Sequence, residues 1–196
     1  MKEIRDRIAA LGPGRRVIAV AGAPGSGKST LAARLVEALE NAALVPMDGF
    51  HLDDRLLEED GLLSRKGAPE TFDAAGCVAL VARLRAGGEV IHPVFDRSRE
   101  LAIAGAGRVP AGTRLVVVEG NYLLLNRAPW RDLAGLWDLS VMLEVPMGEL
   151  RRRLTARWQA LGKDPARIEA HLHNDLANAE TVLRQSLPAD LVVRNL

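Results

Sequence analysis

Five short runs rich in Val, Ile, Leu and Ala punctuate the chain: Val17–Ala21, Ala43–Met47, Leu115–Val118, Leu139–Val145 and Asp190–Val193. Apolar positions within them are continuous rather than alternating, the pattern of strands covered on both faces, as in a parallel sheet. Between the runs the apolar period lengthens to that of a helix. Ser29–Leu39 sets Leu31, Leu35, Val36 and Leu39 on one stripe, and Cys77–Leu84 and Met147–Ala160 carry further stripes. Strands alternating with helices predict an α/β, doubly wound parallel sheet of about five strands. Two stretches, 48–73 and 87–112, concentrate Gly, Pro and charge and follow neither period. Loops that long in a compact domain carry function or small elements of their own.

At 196 residues the chain suits one domain with a sizeable core, so residues 1–196 are read as a single unit. Lys and Arg number 26 against 25 Asp and Glu, a net charge of +1, so no global field recruits nucleic acid or a membrane surface. Local patches must decide what binds. The N-terminal MKEIRDRIAALGPG alternates charges and lacks a signal-peptide core, and the apolar runs are far too short to span a bilayer. The single Cys77 has no internal partner for a disulfide, which fits a reducing compartment. A cytoplasmic setting is expected, and a homodimer stays open.

The sharpest motif is GAPGSGKS, Gly22–Ser29, which matches G-x-x-x-x-G-K-[ST] in full, directly after the first apolar run and at the start of the first helical stripe. Its chemistry is that of a phosphate cradle. Gly22, Ala23, Pro24, Gly25, Ser26 and Gly27 supply backbone N–H groups, and the helix opening at Lys28, Ser29 and Thr30 adds its positive end. Lys28 would reach the β- and γ-phosphates of ATP, and Ser29 would give a hydroxyl to Mg²⁺. Parallel strands present their carboxyl ends to one crevice. Glu119, directly after Leu115–Val118, would therefore lie beside the loop, holding Mg²⁺ or orienting a nucleophile, unless it merely caps a helix. Asp48, directly after Ala43–Met47, would open onto the same crevice as the base that takes the proton of an acceptor hydroxyl. The bland reading of Asp48-Gly49 is an Asx turn.

Taken together, GAPGSGKST, MDGFHLDD, VVVEGNYLLL and PADLVV resemble the phosphoribulokinase/uridine kinase family of P-loop kinases almost from end to end. The resemblance implies a P-loop NTPase three-layer sandwich, ATP and Mg²⁺, and a small-molecule hydroxyl as acceptor. The stretch DGFHLDDRLLEEDGLLSRKGAPETFD is closest in pattern to bacterial-type pantothenate kinases. The chain is much shorter than those enzymes, however, and carries His51 where they have a hydrophobic or aromatic residue. Its length and GNYLLL are more similar to small kinases described as fructose transport system kinases. The resemblance assigns Asp48, Lys28 and Ser29 their roles. It also makes PVFDRSRE a substrate-side segment in which Asp96, Arg97 and Arg99 meet the acceptor.

Arg153 and Arg157 share a helical face one turn apart. In related kinases such a helix leads into a lid, here about 151–170, whose arginine closes over the triphosphate. Arg157 is the candidate for the transition-state charge and Arg153 for the nucleotide. Gly162 and Pro165 would make the turn. His51 is a candidate acceptor contact; Asn174 and Asn178, one turn apart on a predicted helix, either face the acceptor or cap neighbours, and Trp158 offers a face to adenine or to the core. His171 and His173, two apart on a helix, point to different sides and make a poor metal pair. Aromatics at 4% favour a hydrogen-bonded polyol or carboxylate over a stacked base. A fructose-type sugar leads, with pantothenate and nucleosides open. The competing class is a regulatory P-loop NTPase, although the guanine-reading Asn-Lys-x-Asp run of GTPases is absent from the sequence.

Overall fold

The structure is a computed structural model that describes residues 1–195. Its centre is a parallel sheet in which β1 (Arg16–Gly22), β2 (Ala42–Pro46), β5 (Leu115–Gly120), β6 (Leu139–Glu144) and β7 (Leu191–Arg194) run in the order β2-β5-β1-β6-β7. All five expected strands are present. Continuous apolarity has the expected cause, because alternate residues of β1 feed two separate cores. Val17, Ala19 and Ala21 point into one and Ile18 and Val20 into the other, all fully buried. Helices α1 (Lys2–Ala9) and α2 (Lys28–Glu37) cover the second core through Ile4, Ile8, Ala32 and Leu35. Helices α4 (Ala74–Ala86), α5 (Met147–Ala160) and α6 (Pro165–Gln185) cover the first through residues such as Leu80, Leu150 and Leu172. The result is a three-layer α/β sandwich.

Strand order and register bring the expected acidic residues to one place. Glu119 on β5 lies level with Val20 of β1 and with Pro46 of β2. The loop leaving β1 and the turn Met47–Phe50 leaving β2 therefore start at nearly the same height on either side of Glu119. Asp48 sits two residues beyond Pro46, in that turn.

The two irregular stretches contain elements that the apolar pattern does not announce. Residues 87–112 hold an antiparallel hairpin of β3 (Val90–Asp96) and β4 (Leu101–Val109). Pro93 lacks an N–H for the ladder, and the pairing shifts register between His92 and Val94. Small residues in LAIAGAGRV further blur the two-residue period. Residues 48–73 hold the short helix α3 (Asp54–Glu59), capped by Asp53, and two single 3₁₀ turns. This segment is pinned to the body by Tyr122 Oη donating to Gly67 O (2.6 Å) and Trp130 Nε1 donating to Pro69 O (3.1 Å). The helix after Gly162 runs 21 residues to Gln185 and begins on Pro165 with Asp164 as its cap. Gly162, at φ +68°, makes the turn that folds it back on α5.

Candidate active site

The phosphate-loop segment connects β1 to α2, and its shape requires glycine: Gly25 and Gly27 have φ of +77° and +89°, where side chains are disfavoured. It is braced from behind. The carbonyl of Ser26 accepts from Asn195 Nδ2 (2.8 Å), just past β7, and from Arg153 (3.5 Å). Arg153 also donates to Glu149 (2.6 Å) and to Asn195 O (3.1 Å). Arg153 thus grips the back of the loop and lies outside the lining of the cavity in front of it. Ala23 and Ser26 are buried beneath the loop, and the Ser26 hydroxyl has no partner among the described residues. Ser29 Oγ donates to Glu119 Oε2 (3.1 Å). Burial pulls the Lys28 ammonium below its usual range, opposed by the carboxylates of Glu119 and Asp48. Burial likewise pushes Glu119 up, with Lys28 pulling the other way.

Opposite the loop stands Asp48, whose Oδ2 accepts from Arg97 at the end of the hairpin. Gly49 does not act here through an unusual φ. A Cβ on it would lie 2.4 Å from Pro93 O and 2.7 Å from Pro93 C, so glycine lets the hairpin backbone press against the Asp48 turn. His51 folds back with Nδ1 2.8 Å from Asp48 O, and its ring lies 4.1 Å from Phe72 and 4.6 Å from Phe95. Burial among these rings lowers its pKa despite the nearby Asp48.

These groups share one cavity of about 670 Å³. The loop residues Pro24, Gly25, Gly27, Lys28, Ser29 and Thr30 form one end, and Asp48, His51 and Arg97 stand on another wall. Arg157 and Asn174 come in from the helix pair. The expected residues Asp96 and Arg99 do not line it. Asp96 accepts from Ser98 and from Arg99 Nε (2.8 Å) at the hairpin turn, an arrangement that holds its carboxyl well below the usual range. The turn consumes both charges locally. Asn174 Nδ2 donates to Lys66 O (2.9 Å), tying α6 to the 48–73 segment.

Several cavity residues escaped the sequence reading. Lys66, held by Asp54 (2.6 Å), lies 5.6 Å above the Phe95 ring, and Asn121 follows directly from Glu119-Gly120. Asp175 accepts from Trp158 Nε1 (2.9 Å). Trp158 itself stacks on His171 at 4.2 Å, with Arg157 5.2 Å from its ring. The available signal was spacing: His171, Asn174, Asp175 and Asn178 fall at i, i+3, i+4 and i+7, a polar stripe on one face of a helix that also contributes to the core.

A positive-φ glycine loop opens a helix that begins with a lysine and a serine, and the serine bonds a glutamate on a parallel strand, an arrangement suited to a phosphate chain. The model of the phosphoribulokinase/uridine kinase family matches residues 17–195. The chain belongs to this family. It is a P-loop small-molecule kinase of the uridine, pantothenate and phosphoribulokinase type, and hence a phosphotransferase. Uncharacterized protein YggC of Escherichia coli is 38% identical over 188 residues, covering 91% of this chain and 77% of that one. A pantothenate kinase of Streptomyces coelicolor is 35% identical over 159 residues, covering 74% of this chain but 48% of that enzyme, so only about half of its length is matched. The crystal structure of a "putative fructose transport system kinase" from Silicibacter sp. TM1040 superposes with a TM-score of 0.91 at 49% identity, over 98% of this chain and 96% of that one. No helix among the described residues is long and apolar enough to cross a membrane.

Proposed function

We propose that this kinase transfers the γ-phosphoryl group of ATP to a hydroxyl of a small polar metabolite, a sugar of the fructose type. The observation that carries the reading is Asp48, held by Arg97, facing the Lys28 loop across a single cavity. In this reading Asp48 accepts the proton of the attacking hydroxyl and aligns it with the γ-phosphorus. Lys28 and the loop N–H groups neutralise the phosphate oxygens. Arg157, on the cavity wall beside Trp158, supplies further positive charge as the phosphoryl group moves, whereas Arg153 acts on the nucleotide indirectly, by holding the loop at Ser26. His51 and Asn174 shape the acceptor wall, and Arg97 reaches the acceptor through its grip on Asp48.

The oxygen pair of Ser29 and Glu119 suits Mg²⁺, which takes few protein ligands and completes its shell with phosphate oxygens and water. No group of three or more His, Cys, Asp or Glu among the described residues offers a fuller cage. Held by Ser29 and Glu119, Mg²⁺ would supply neutralisation of the phosphate charge. The sugar assignment draws on the 49% identical Silicibacter protein and on the small number of aromatic side chains.

The test is ADP release, by a coupled assay, over fructose, other sugars, pantothenate, uridine and cytidine. Release that depends on a sugar supports the reading. Release driven instead by pantothenate or a nucleoside reassigns the acceptor, and fast hydrolysis indifferent to every acceptor replaces the kinase by a regulatory NTPase. Asp48→Asn is expected to lower acceptor-dependent turnover about 10²- to 10⁴-fold while ATP still binds. Near-normal turnover in that variant would remove Asp48 from the mechanism.

A further inference from the structure

The acceptor side of the cavity is unevenly supplied with hydrogen-bonding groups. Two of its cations are engaged, Lys66 by the Asp54 carboxylate (2.6 Å) and Glu100 O (3.0 Å) and Arg97 by Asp48, while Lys28 and Arg157 are the ones that serve the phosphoryl group in the reading above. Two acceptor oxygens on this wall have no partner among the described residues. Asn121 Oδ1 is buried and receives no hydrogen bond. Asp175 uses Oδ2 to accept from Trp158, and no donor among the described residues reaches its Oδ1. Asn178, 3% exposed, lines the same wall one turn further along α6.

Asp175 stands between the two halves of the site. On one side are Trp158 and Arg157, and on the other is Asn174, bonded to Lys66 O. Burial pushes the Asp175 carboxyl up from its usual range, opposed by the Trp158 hydrogen bond and by the nearby Arg157 and Lys28. Unpartnered acceptor oxygens call for a ligand that donates, and a hydroxyl does so without bringing charge. A ligand carboxylate would bring only acceptors. It would face Asp175 with Lys66 and Arg97 already paired and with Lys28 and Arg157 serving the phosphoryl group, and leaving polar groups so mismatched costs far more than losing one good bond.

We propose that Asp175 is a specificity-determining residue: with the Asn121 amide oxygen it takes hydroxyl groups of an uncharged polyol acceptor and turns away acceptors that carry a carboxylate. This rests on the kinase reading above and extends it by a residue and a selection rule. Half of the rule is exclusion, because a nearby carboxylate discriminates by repulsion as well as by attraction.

The experiment measures acceptor kinetics at saturating ATP for wild type, Asp175→Asn and Asp175→Ala, over D-fructose, D-ribose, D-glucose and D-gluconate. Gluconate is a polyol chain of the same carbon count as fructose that adds the carboxylate. Asn is isosteric and its amide oxygen still accepts from Trp158, so this variant keeps the α5–α6 contact if Ala loosens it. Wild type is expected to favour its best neutral sugar over gluconate at least 100-fold in kcat/KM. Asp175→Asn is expected to raise the KM for that sugar about tenfold, with kcat moved less, and to narrow the preference over gluconate at least tenfold. Unchanged KM and preference in both variants, with sugar-dependent turnover intact, overturn the role of Asp175 and leave the kinase reading standing. Wild type that accepts gluconate as readily as the sugars also overturns it. Absence of turnover with every neutral sugar overturns the sugar reading itself, and the selection rule with it.

Discussion

Single residues in this site are defined by what presses on them. Gly49 is the example: a glycine after an aspartate reads as a turn, but the reason for it is the Pro93 carbonyl lying where a Cβ would go. Gly49→Ala is therefore expected to push the hairpin off the Asp48 turn. It should cost about 1–3 kcal/mol in denaturant unfolding, the usual penalty of overpacking, and loosen the Arg97 contact. His51 makes a second test. Its pKa lies below the ordinary 6.5 because burial among Phe72 and Phe95 disfavours the cation. The unfolded chain then binds a proton that the folded one refuses, so stability falls as pH drops from about 6.5 toward the folded value and is flat above it. Unfolding midpoints measured between neutral and mildly acidic pH should show this slope in the wild type, and His51→Gln should flatten it. That Asp48 and Lys28 line one cavity was legible from the sequence, because motif and strand end meet at one sheet edge. Asp96 and Arg99 lie outside the cavity lining, since charges can satisfy each other within one turn and sequence adjacency does not show it.

Between elements, the main contact is the brace behind the phosphate loop. Asn195, past the last strand, and Arg153 on α5 both hold the Ser26 carbonyl, and Glu149 orients Arg153. Asn195→Ala removes a neutral hydrogen bond of about 0.5–1.5 kcal/mol. The expected result is an ATP Kd weakened by about two- to tenfold, measured by calorimetry. A lowered melting temperature with unchanged Kd would confine the brace to stability. No periodicity reveals such a link, because it joins residues 169 positions apart. The hairpin β3–β4 was hidden for a different reason: proline at a bulge and small side chains erase the two-residue alternation by which a strand is recognised. Helix α6 was only partly legible, since the same face that supplies Asn174 and Asp175 to the cavity interrupts its apolar stripe.

Across the whole molecule, function depends on three strand ends meeting at one edge. The order β2-β5-β1 sets Glu119 between the phosphate loop and the Asp48 turn. Ser29 and Glu119 offer only two side chains, so Mg²⁺ binding should be shared with the nucleotide. Chelation of Mg²⁺ is then expected to abolish acceptor-dependent ADP release. The thermal stabilisation given by saturating ATP should shrink as well, read as a smaller rise in melting temperature. The sheet, the phosphate loop and the places of Glu119 and Asp48 at its edge were readable from the chain, because they follow from local period and contiguous motif. Only the tertiary structure decided which charges remain free in the cavity. Pairing of Lys66 with Asp54, Arg97 with Asp48 and Trp158 with Asp175 depends on segments that meet in space, and hydrogen-bond satisfaction is a property of those meetings rather than of any stretch of chain.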